Sequence, residues 1–281
     1  MVFPLLRSSA SFGNMSTLPS TARLDDLIRL SLAAGDVIME VRSRAFEVQE
    51  KADGSAVTAA DQAAEEVITA GLNALDNSIP IIAEEAASEG KIPEAGSRFF
   101  LVDPLDGTKE FINKRDEFTV NIALVVDGLP VMGVVFAPAK GILWAGDPDG
   151  AIRQKASGSP FALVGEPEPI RARDVPADGR IAIASRSHRS PETDEALQKL
   201  KTGDIRSAGS SLKFCVIAEG EADVYPRLGR TMEWDTAAGH AVLKAAGGRV
   251  HVFANGEEQG PLTYGKVERD YDNPHFIAWG A

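Results

Sequence analysis

Residues 103–110 read Asp-Pro-Leu-Asp-Gly-Thr-Lys-Glu and follow directly on the apolar run Phe99-Phe100-Leu101-Val102. Two carboxylates three residues apart therefore leave the end of a buried strand and meet a Gly-Thr turn. Carboxylate oxygens are natural ligands of a hard divalent cation. A glycine in the turn lets a phosphate oxygen approach backbone N–H groups closely. Pro104 cannot donate to a sheet ladder and stiffens the turn, and the Leu105 carbonyl is exposed between Asp103 and Asp106. Two further acidic clusters stand at element ends: Glu84-Glu85 after Ile81-Ile82-Ala83, and Asp235 within Glu233-Trp234-Asp235-Thr236-Ala237-Ala238. The chemistry this suggests is metal-assisted hydrolysis of a phosphate ester, in which two cations roughly 3.5–4 Å apart clamp the attacking and leaving oxygens.

Each of these residues also has a plain structural reading. Asp-Gly-Thr alone is a common turn, and Glu84-Glu85 alone is a solvated pair at a strand end. Asp235 precedes a helical stretch and would serve as an N-cap, where its charge meets the helix dipole. Asp61 sits near a helix start and has the same reading. What favours chemistry is the whole eight-residue string placed after a buried strand.

The elements that must position these groups are legible in the periodicity. Leu24 to Val41 has helical apolar spacing, as does a stretch from about Thr58 or Asp61 to Leu75. Short β runs follow at Ile79–Ile82 and Phe99–Val102. Val120–Val126 and Pro130–Phe136 flank Asp127-Gly128, a hairpin signal, and Ile142–Ala145 reads as one more antiparallel strand. Between Gly158 and Arg180 the chain turns rich in Gly, Pro and charge, which predicts a boundary or an exposed crossing. Beyond it, strands are expected at Ile181–Ala184, Ala222–Tyr225, Val250–Val252 and His275–Trp279, with helices at Glu192–Lys201, Ser211–Glu219 and Thr236–Ala246. Asp235 is expected to cap the last helix and Gly247-Gly248 to stop it. Helices followed by meandering strands indicate an α/β chain of layered α+β type. Residues 1–20 are expected to form a flexible extension, 21–157 an N-terminal metal-binding half and 158–281 a C-terminal half that reads the substrate.

The 281 residues carry a formal net charge of −12, which argues against a nucleic-acid polymer as partner, since phosphate backbones require a basic face. A small anion remains compatible if a cation or a local basic patch offsets the repulsion. The single cysteine, Cys215, lies in the apolar stretch Leu212–Ala218 and reads as a buried, inert thiol. No apolar run is long enough to span a bilayer. A reducing, cytoplasmic compartment fits, and peripheral association with the inner membrane face stays open. Met1–Ser20 is rich in Ser and Pro, with one Arg and no acid. Whether it is a targeting segment or a misassigned start ahead of Met15 stays open too.

Asp103–Thr108, together with Trp234-Asp235-Thr236-Ala237-Ala238 and Glu84-Glu85, resembles the lithium-sensitive, magnesium-dependent phosphatases of the inositol monophosphatase superfamily, in order and spacing from about residue 21 onward. Further strings resemble its bacterial 3′(2′),5′-bisphosphate nucleotidase branch. These are Val57-Thr58-Ala59-Ala60-Asp61, Lys109-Glu110-Phe111, Phe118–Ala123, Ser185-Arg186-Ser187-His188, Gly209–Phe214 and Tyr225-Pro226-Arg227. The resemblance implies the αβαβα sugar-phosphatase fold and hydrolysis of the 3′-phosphate of adenosine 3′,5′-bisphosphate to AMP and phosphate. Action on the 5′-phosphosulfate relative and a place in sulfur assimilation go with it.

Carried over residue by residue, Glu84, Asp103 and the Leu105 carbonyl would bind one Mg²⁺, and Asp103, Asp106 and Asp235 a second. Asp61 and Thr108 would orient and deprotonate the attacking water, and Asp61 could hold a third cation through water. Gly107 and Thr108 would receive the scissile phosphate. Glu84, Leu105, Asp106 and Asp235 would thereby border the substrate as well. The 5′-phosphate needs a cation or N–H donors, for which Ser211, Lys213 and Arg227 are candidates, with Ser185, Arg186 and His188 near the base or ribose. Two alternatives stay open: an inositol or other sugar phosphatase of the same fold, and a non-catalytic nucleotide sensor. Ala86-Ala87-Ser88 after Glu84-Glu85 departs from many relatives, which carry an acid or serine there; the ligand Glu84 itself is untouched.

Overall fold

The computed structural model describes residues 22–44, 47–51, 56–185 and 191–281. Helix α1 (Leu24–Ser43) leads to an antiparallel strand pair, β1 (Val48–Glu50) and β2 (Ala56–Thr58), and then to helix α2 (Ala59–Leu75). The α2 start is set by a capping box: Thr58 caps the helix, and the Asp61 carboxylate accepts the Thr58 N–H at 2.8 Å.

Strand β3 (Ile81–Ala83) runs parallel to β4 (Arg98–Asp106), with the one-turn helix α3 (Glu84–Ser88) between them. Helix α4 (Thr108–Ile112) follows β4, and an antiparallel meander comes next: β5 (Thr119–Val126), β6 (Leu129–Ala137), β7 (Ile142–Asp147), β8 (Gly150–Gly158) and β9 (Phe161–Ile170). The β5–β6 turn is the expected one, with Asp127 and Gly128 both at positive φ as a two-residue hairpin requires. Strand order in this seven-stranded sheet is β3-β4-β5-β6-β7-β8-β9.

The stretch read as an exposed crossing is in part strand β9, which is paired to β8 yet exposed along residues 162–169. An edge strand with neither face buried shows no alternation to read. Its Glu166-Pro167-Glu168-Pro169 segment carries the charges and prolines that discourage further edge pairing.

The second sheet has six strands in the order β11-β10-β12-β15-β13-β14. They are β10 (Arg180–Ser185), β11 (Thr202–Ala208), β12 (Val224–Arg227), β13 (Arg249–Ala254), β14 (Glu257–Pro261) and β15 (Phe276–Trp279). Helix α5 (Pro191–Lys199) packs on β11 and β12, whereas α6 (Leu212–Ala218) and α7 (Ala237–Ala245) lie between the sheets. The layers thus run α1/α2, seven-stranded sheet, α6/α7, six-stranded sheet, α5, which is the expected αβαβα arrangement. Among the described residues three apolar clusters fill the spaces between layers.

Close packing of α7 aims the site. A Cβ on Gly133 would stand 2.7 Å from the Ala238 carbonyl oxygen, and one on Gly146 would stand 2.8 Å from Val242 Cα. These glycines of β6 and β7 let α7 press against the first sheet, which brings its N-terminus to the end of β4. The α7 cap differs from expectation. Thr236, not Asp235, occupies the N-cap position without a side-chain bond to the helix N–H groups, and the Asp235 carboxylate instead accepts the Met232 N–H at 2.8 Å. Among the described residues no helix is long and apolar enough to cross a membrane.

Candidate active site

Strand β4 carries the first two carboxylates. Asp103 pairs with Asn121 and Asp106 with Thr119, and the register shifts between them. Pro104 therefore interrupts the ladder without ending the strand, and the two acids emerge on a local bulge. Asp103 is buried, and its Oδ1 accepts the Leu105 N–H at 3.0 Å. Gly107 has φ +99°, and a Cβ there would stand 3.1 Å from the Glu117 carbonyl oxygen. Only glycine turns the chain this way so close to backbone, and the turn sets Thr108 over Asp61.

Asp61 is buried on α2. One of its oxygens accepts the Thr58 N–H and hydroxyl, at 2.8 and 2.7 Å, and the other accepts the Thr108 hydroxyl at 3.0 Å. Burial pushes its carboxyl above the ordinary range, against the pull of those hydrogen bonds. Thr108 Oγ1 also lies 3.3 Å from the Leu105 carbonyl oxygen.

Glu84 opens α3, whose N-cap, Ala83, has no side-chain acceptor. Glu65 of α2 supplies it: its carboxylate accepts the N–H groups of Glu85 at 2.7 Å and Ala86 at 2.9 Å. Lys51 bridges Glu84 and Glu85 at 2.7 and 2.8 Å. Burial works against the ammonium charge, but the two glutamates outweigh it and raise the Lys51 pKa. Glu85 is pushed up to about 7, by burial and then by Glu84.

From the second half come Asp235, Lys213 and Arg227. Burial, then Asp106 and Glu84, hold the Asp235 carboxyl well above the usual range. Burial, then Glu84, Asp106 and Asp235, do the same to Asp103. Glu84, Asp103, Asp106 and Asp235 thus repel one another across the site. Lys213 is buried, its Nζ lies 5.4 Å from the Tyr225 ring centre, and burial lowers its pKa to about 8. Arg227, on β12, donates to the Arg230 carbonyl at 2.7 Å.

A cavity of about 600 Å³ opens over this ground, bordered by Glu84, Asp106, Gly107 and Thr108 on one side and Lys213, Tyr225, Arg227 and Asp235 on the other. Asp61 and Asp103 lie beneath it. Ser211 does not border it: the residue is buried, and its hydroxyl is engaged by Asn121, Asp106 and the Asp235 carbonyl. Ser185 ends β10 opposite Ala208, and Arg186 and His188 lie outside the described residues.

Several groups at the site carried no assigned role in the sequence. Lys51 opens Lys51-Ala52-Asp53-Gly54-Ser55, a string of turn residues. Glu65 had a signal, since it stands four residues after Asp61 on the stripe that continues through Ile68 and Leu72 to the core; an acid on a buried stripe asks for a partner. Glu233 is fully buried and accepts the Gly265 and Lys266 N–H groups at 2.6 and 2.9 Å, which fastens the 263–271 loop beside Asp235.

Comparison with known proteins agrees with this architecture. The inositol monophosphatase family model matches residues 22–278. The 3′(2′),5′-bisphosphate nucleotidase CysQ of Escherichia coli strain K12 is 44% identical over 256 residues, covering 90% of this chain and 98% of that protein. The CysQ of Haemophilus influenzae is 30% identical, with 92% of each covered. Among solved structures, CysQ from Bacteroides thetaiotaomicron, described as a bacterial member of the inositol monophosphatase family, superposes with a TM-score of 0.75 at 38% identity, over 94% of this chain and 99% of that one. An inositol monophosphatase from Anabaena superposes with a TM-score of 0.68 at 26% identity, over 91% and 89%. The chain belongs to the inositol monophosphatase family.

Proposed function

We propose that this protein is a metal-dependent phosphatase of bisphosphate nucleotides that hydrolyses the 3′-phosphate of adenosine 3′,5′-bisphosphate to AMP and phosphate. The 5′-phosphosulfate analogue is a second substrate, and the setting is sulfur assimilation. The observation that carries this reading is that one cavity is lined both by the carboxylates Glu84, Asp106 and Asp235 and by the cations Lys213 and Arg227. A substrate with two phosphates can meet both kinds of group.

The donor set fits Mg²⁺. It is all oxygen, and a divalent cation would relieve the repulsion that raises Asp103 and Asp235. Among the described residues no three acidic, His or Cys side chains form a ready-made metal cage, so the carboxylates stand as an open set around the cavity. Glu84, Asp103 and the Leu105 carbonyl would hold one ion and Asp103, Asp106 and Asp235 another, with Asp61 available to a third through water. Bound there, Mg²⁺ supplies charge neutralisation at the phosphoryl oxygens and acidifies water.

The chain's own residues do the rest. Thr108, held by Asp61 through its hydroxyl, is the hydrogen-bond partner for a water beside the phosphate, and Asp61 accepts the proton that this water loses. The water oxygen bonds to phosphorus, the bond from phosphorus to the ribose 3′-oxygen breaks, and the leaving oxygen takes up a proton. Backbone N–H groups at Gly107 and Thr108 receive the phosphate oxygens. Lys213 and Arg227 hold the 5′-phosphate, and that second phosphate selects the nucleotide. This assignment leaves Ser211 out of phosphate reading.

The test is phosphate release with Mg²⁺ from adenosine 3′,5′-bisphosphate, inositol 1-phosphate and fructose 1,6-bisphosphate in parallel. Strong preference for the nucleotide and inhibition by millimolar lithium are expected. Preference for a sugar phosphate would move the substrate to the sugar-phosphatase alternative, and nucleotide binding without turnover would make the protein a sensor.

A further inference from the structure

A single buried hydroxyl joins two carboxylate-bearing segments from opposite halves of the molecule. Ser211 Oγ lies 3.1 Å from Asp106 Oδ2, at the end of the first sheet, and 2.7 Å from the carbonyl oxygen of Asp235, just ahead of α7. Its direction is fixed from below. Asn121 Nδ2 donates to Ser211 Oγ at 2.9 Å and stands 3.5 Å from Asp106 Oδ2, while Asn121 Oδ1 lies 3.1 Å from the Thr119 hydroxyl, which is also 2.5 Å from Ser210 Oγ. Because the Asp106 carboxylate only accepts, the amide keeps its NH2 end toward Asp106 and Ser211. Ser211 must then spend its own proton on Asp235 or Asp106. Both residues are essentially without exposure, Asn121 at 0% and Ser211 at 1%, so no water competes for these bonds. Asp106 Oδ2 also accepts the Ser210 hydroxyl at 2.6 Å. Among the described residues Oδ1 of the same carboxylate takes no hydrogen bond, and it is left for the cavity.

We propose that Asn121 and Ser211 are positioning residues that set the spacing and orientation of Asp106 against Asp235, and through them the second cation site. The inference rests on the metal-dependent phosphatase reading. Neither residue touches substrate; both act through the two aspartates, and outer partners of this kind typically change metal affinity about 10- to 100-fold.

The experiment is Mn²⁺ binding followed by electron paramagnetic resonance with AMP and phosphate present, on the full chain and on Ser211→Ala and Ser211→Ala/Asn121→Leu, with thermal unfolding alongside. The single variant leaves the Asn121 amide only its long 3.5 Å contact to Asp106, so it loses stability, whereas the double variant removes the amide as well and recovers part of it. One Mn²⁺ equivalent is expected to bind about tenfold less tightly in both variants, with the other unchanged. At saturating metal, KM for the bisphosphate nucleotide should stay as it was while kcat falls. If the double variant regains wild-type Mn²⁺ affinity along with its stability, the pair is only a satisfied buried hydrogen bond and the proposal is overturned. If the unaltered protein binds no Mn²⁺ at all, the metal-dependent reading falls first and takes this inference with it.

Discussion

The Thr108 hydroxyl donates to Asp61 Oδ1 at 3.0 Å, while Asp61 Oδ2 is held by Thr58 through both its N–H and its hydroxyl. One carboxylate therefore does two jobs: one oxygen closes the α2 capping box, and the other faces the turn beside the cavity. The substitution Asp61→Asn separates them. The amide oxygen can keep the capping bonds, so unfolding should shift by no more than about 1 kcal/mol. The base is gone, so kcat for phosphate release should fall about 10²–10⁴-fold. A variant that unfolds early but turns over normally when folded would make Asp61 a helix cap and nothing more.

Lys213 gives a pH signature. Burial lowers its pKa to about 8, so the free protein loses this charge as pH rises through that value. Binding of a second phosphate needs the charged form. The ratio of kcat/KM for adenosine 3′,5′-bisphosphate to that for adenosine 3′-phosphate should therefore be flat below about 8 and fall above it. Taking a ratio cancels titrations common to both substrates. In Lys213→Met the ratio should be small and independent of pH; equal losses on both substrates would show that Lys213 does not read the second phosphate.

Gly209 and Gly107 flank one backbone group. A Cβ on Gly209 would stand 2.9 Å from the Glu117 carbonyl oxygen, and one on Gly107 would stand 3.1 Å from it. The two glycines come from different halves, so the Glu117 loop is seated between them. Backbone cannot step aside as a flexible side chain can. Gly209→Ala should cost about 1–3 kcal/mol and lower kcat, because Ser210 and Ser211 move with it. Gly260→Ala, with nothing within 4 Å, is the control and should leave both unchanged. Full activity in Gly209→Ala would mean that the halves tolerate displacement at this contact.

Much of this arrangement is legible before any coordinates. Asp103–Thr108 is contiguous, so a strand end, two acids and a turn can be read from eight neighbouring letters. The β5–β6 hairpin is legible because positive φ at Asp127 and Gly128 needs those residue types. The unread parts depend on distance in sequence. Ser211 sits in a string that suggests phosphate reading, and only its pairing with Asn121, 90 residues away, shows that its hydroxyl is occupied. Lys51 reads as turn chemistry because its partners, Glu84 and Glu85, lie more than thirty residues on. Asp235 has the composition of a cap and lost that place to Thr236. Strand β9 is hidden because its pairing is backbone to backbone and its side chains see water.

Asp223 anchors the far side of the second sheet and makes a stability prediction independent of the site. It is fully buried, and its carboxylate accepts two bonds from Arg173, each 2.7 Å, and the Ile181 N–H at 2.6 Å. Burial pushes the carboxyl up, but these bonds outweigh it and hold the pKa below the ordinary value. A carboxylate whose pKa is lowered on folding stabilises the protein above its unfolded pKa, near 3.9, and loses that contribution as pH falls through the folded value. Arg173 is 41% exposed, so solvent screens part of the pair. Asp223→Asn should then cost about 2–3 kcal/mol at pH 7, read as a lower urea midpoint. The gap between variant and wild type should hold down to about pH 4 and narrow below it. A gap of constant size down to pH 3 would mean that packing around Asp223, rather than its charge, ties β10 to the 171–175 segment.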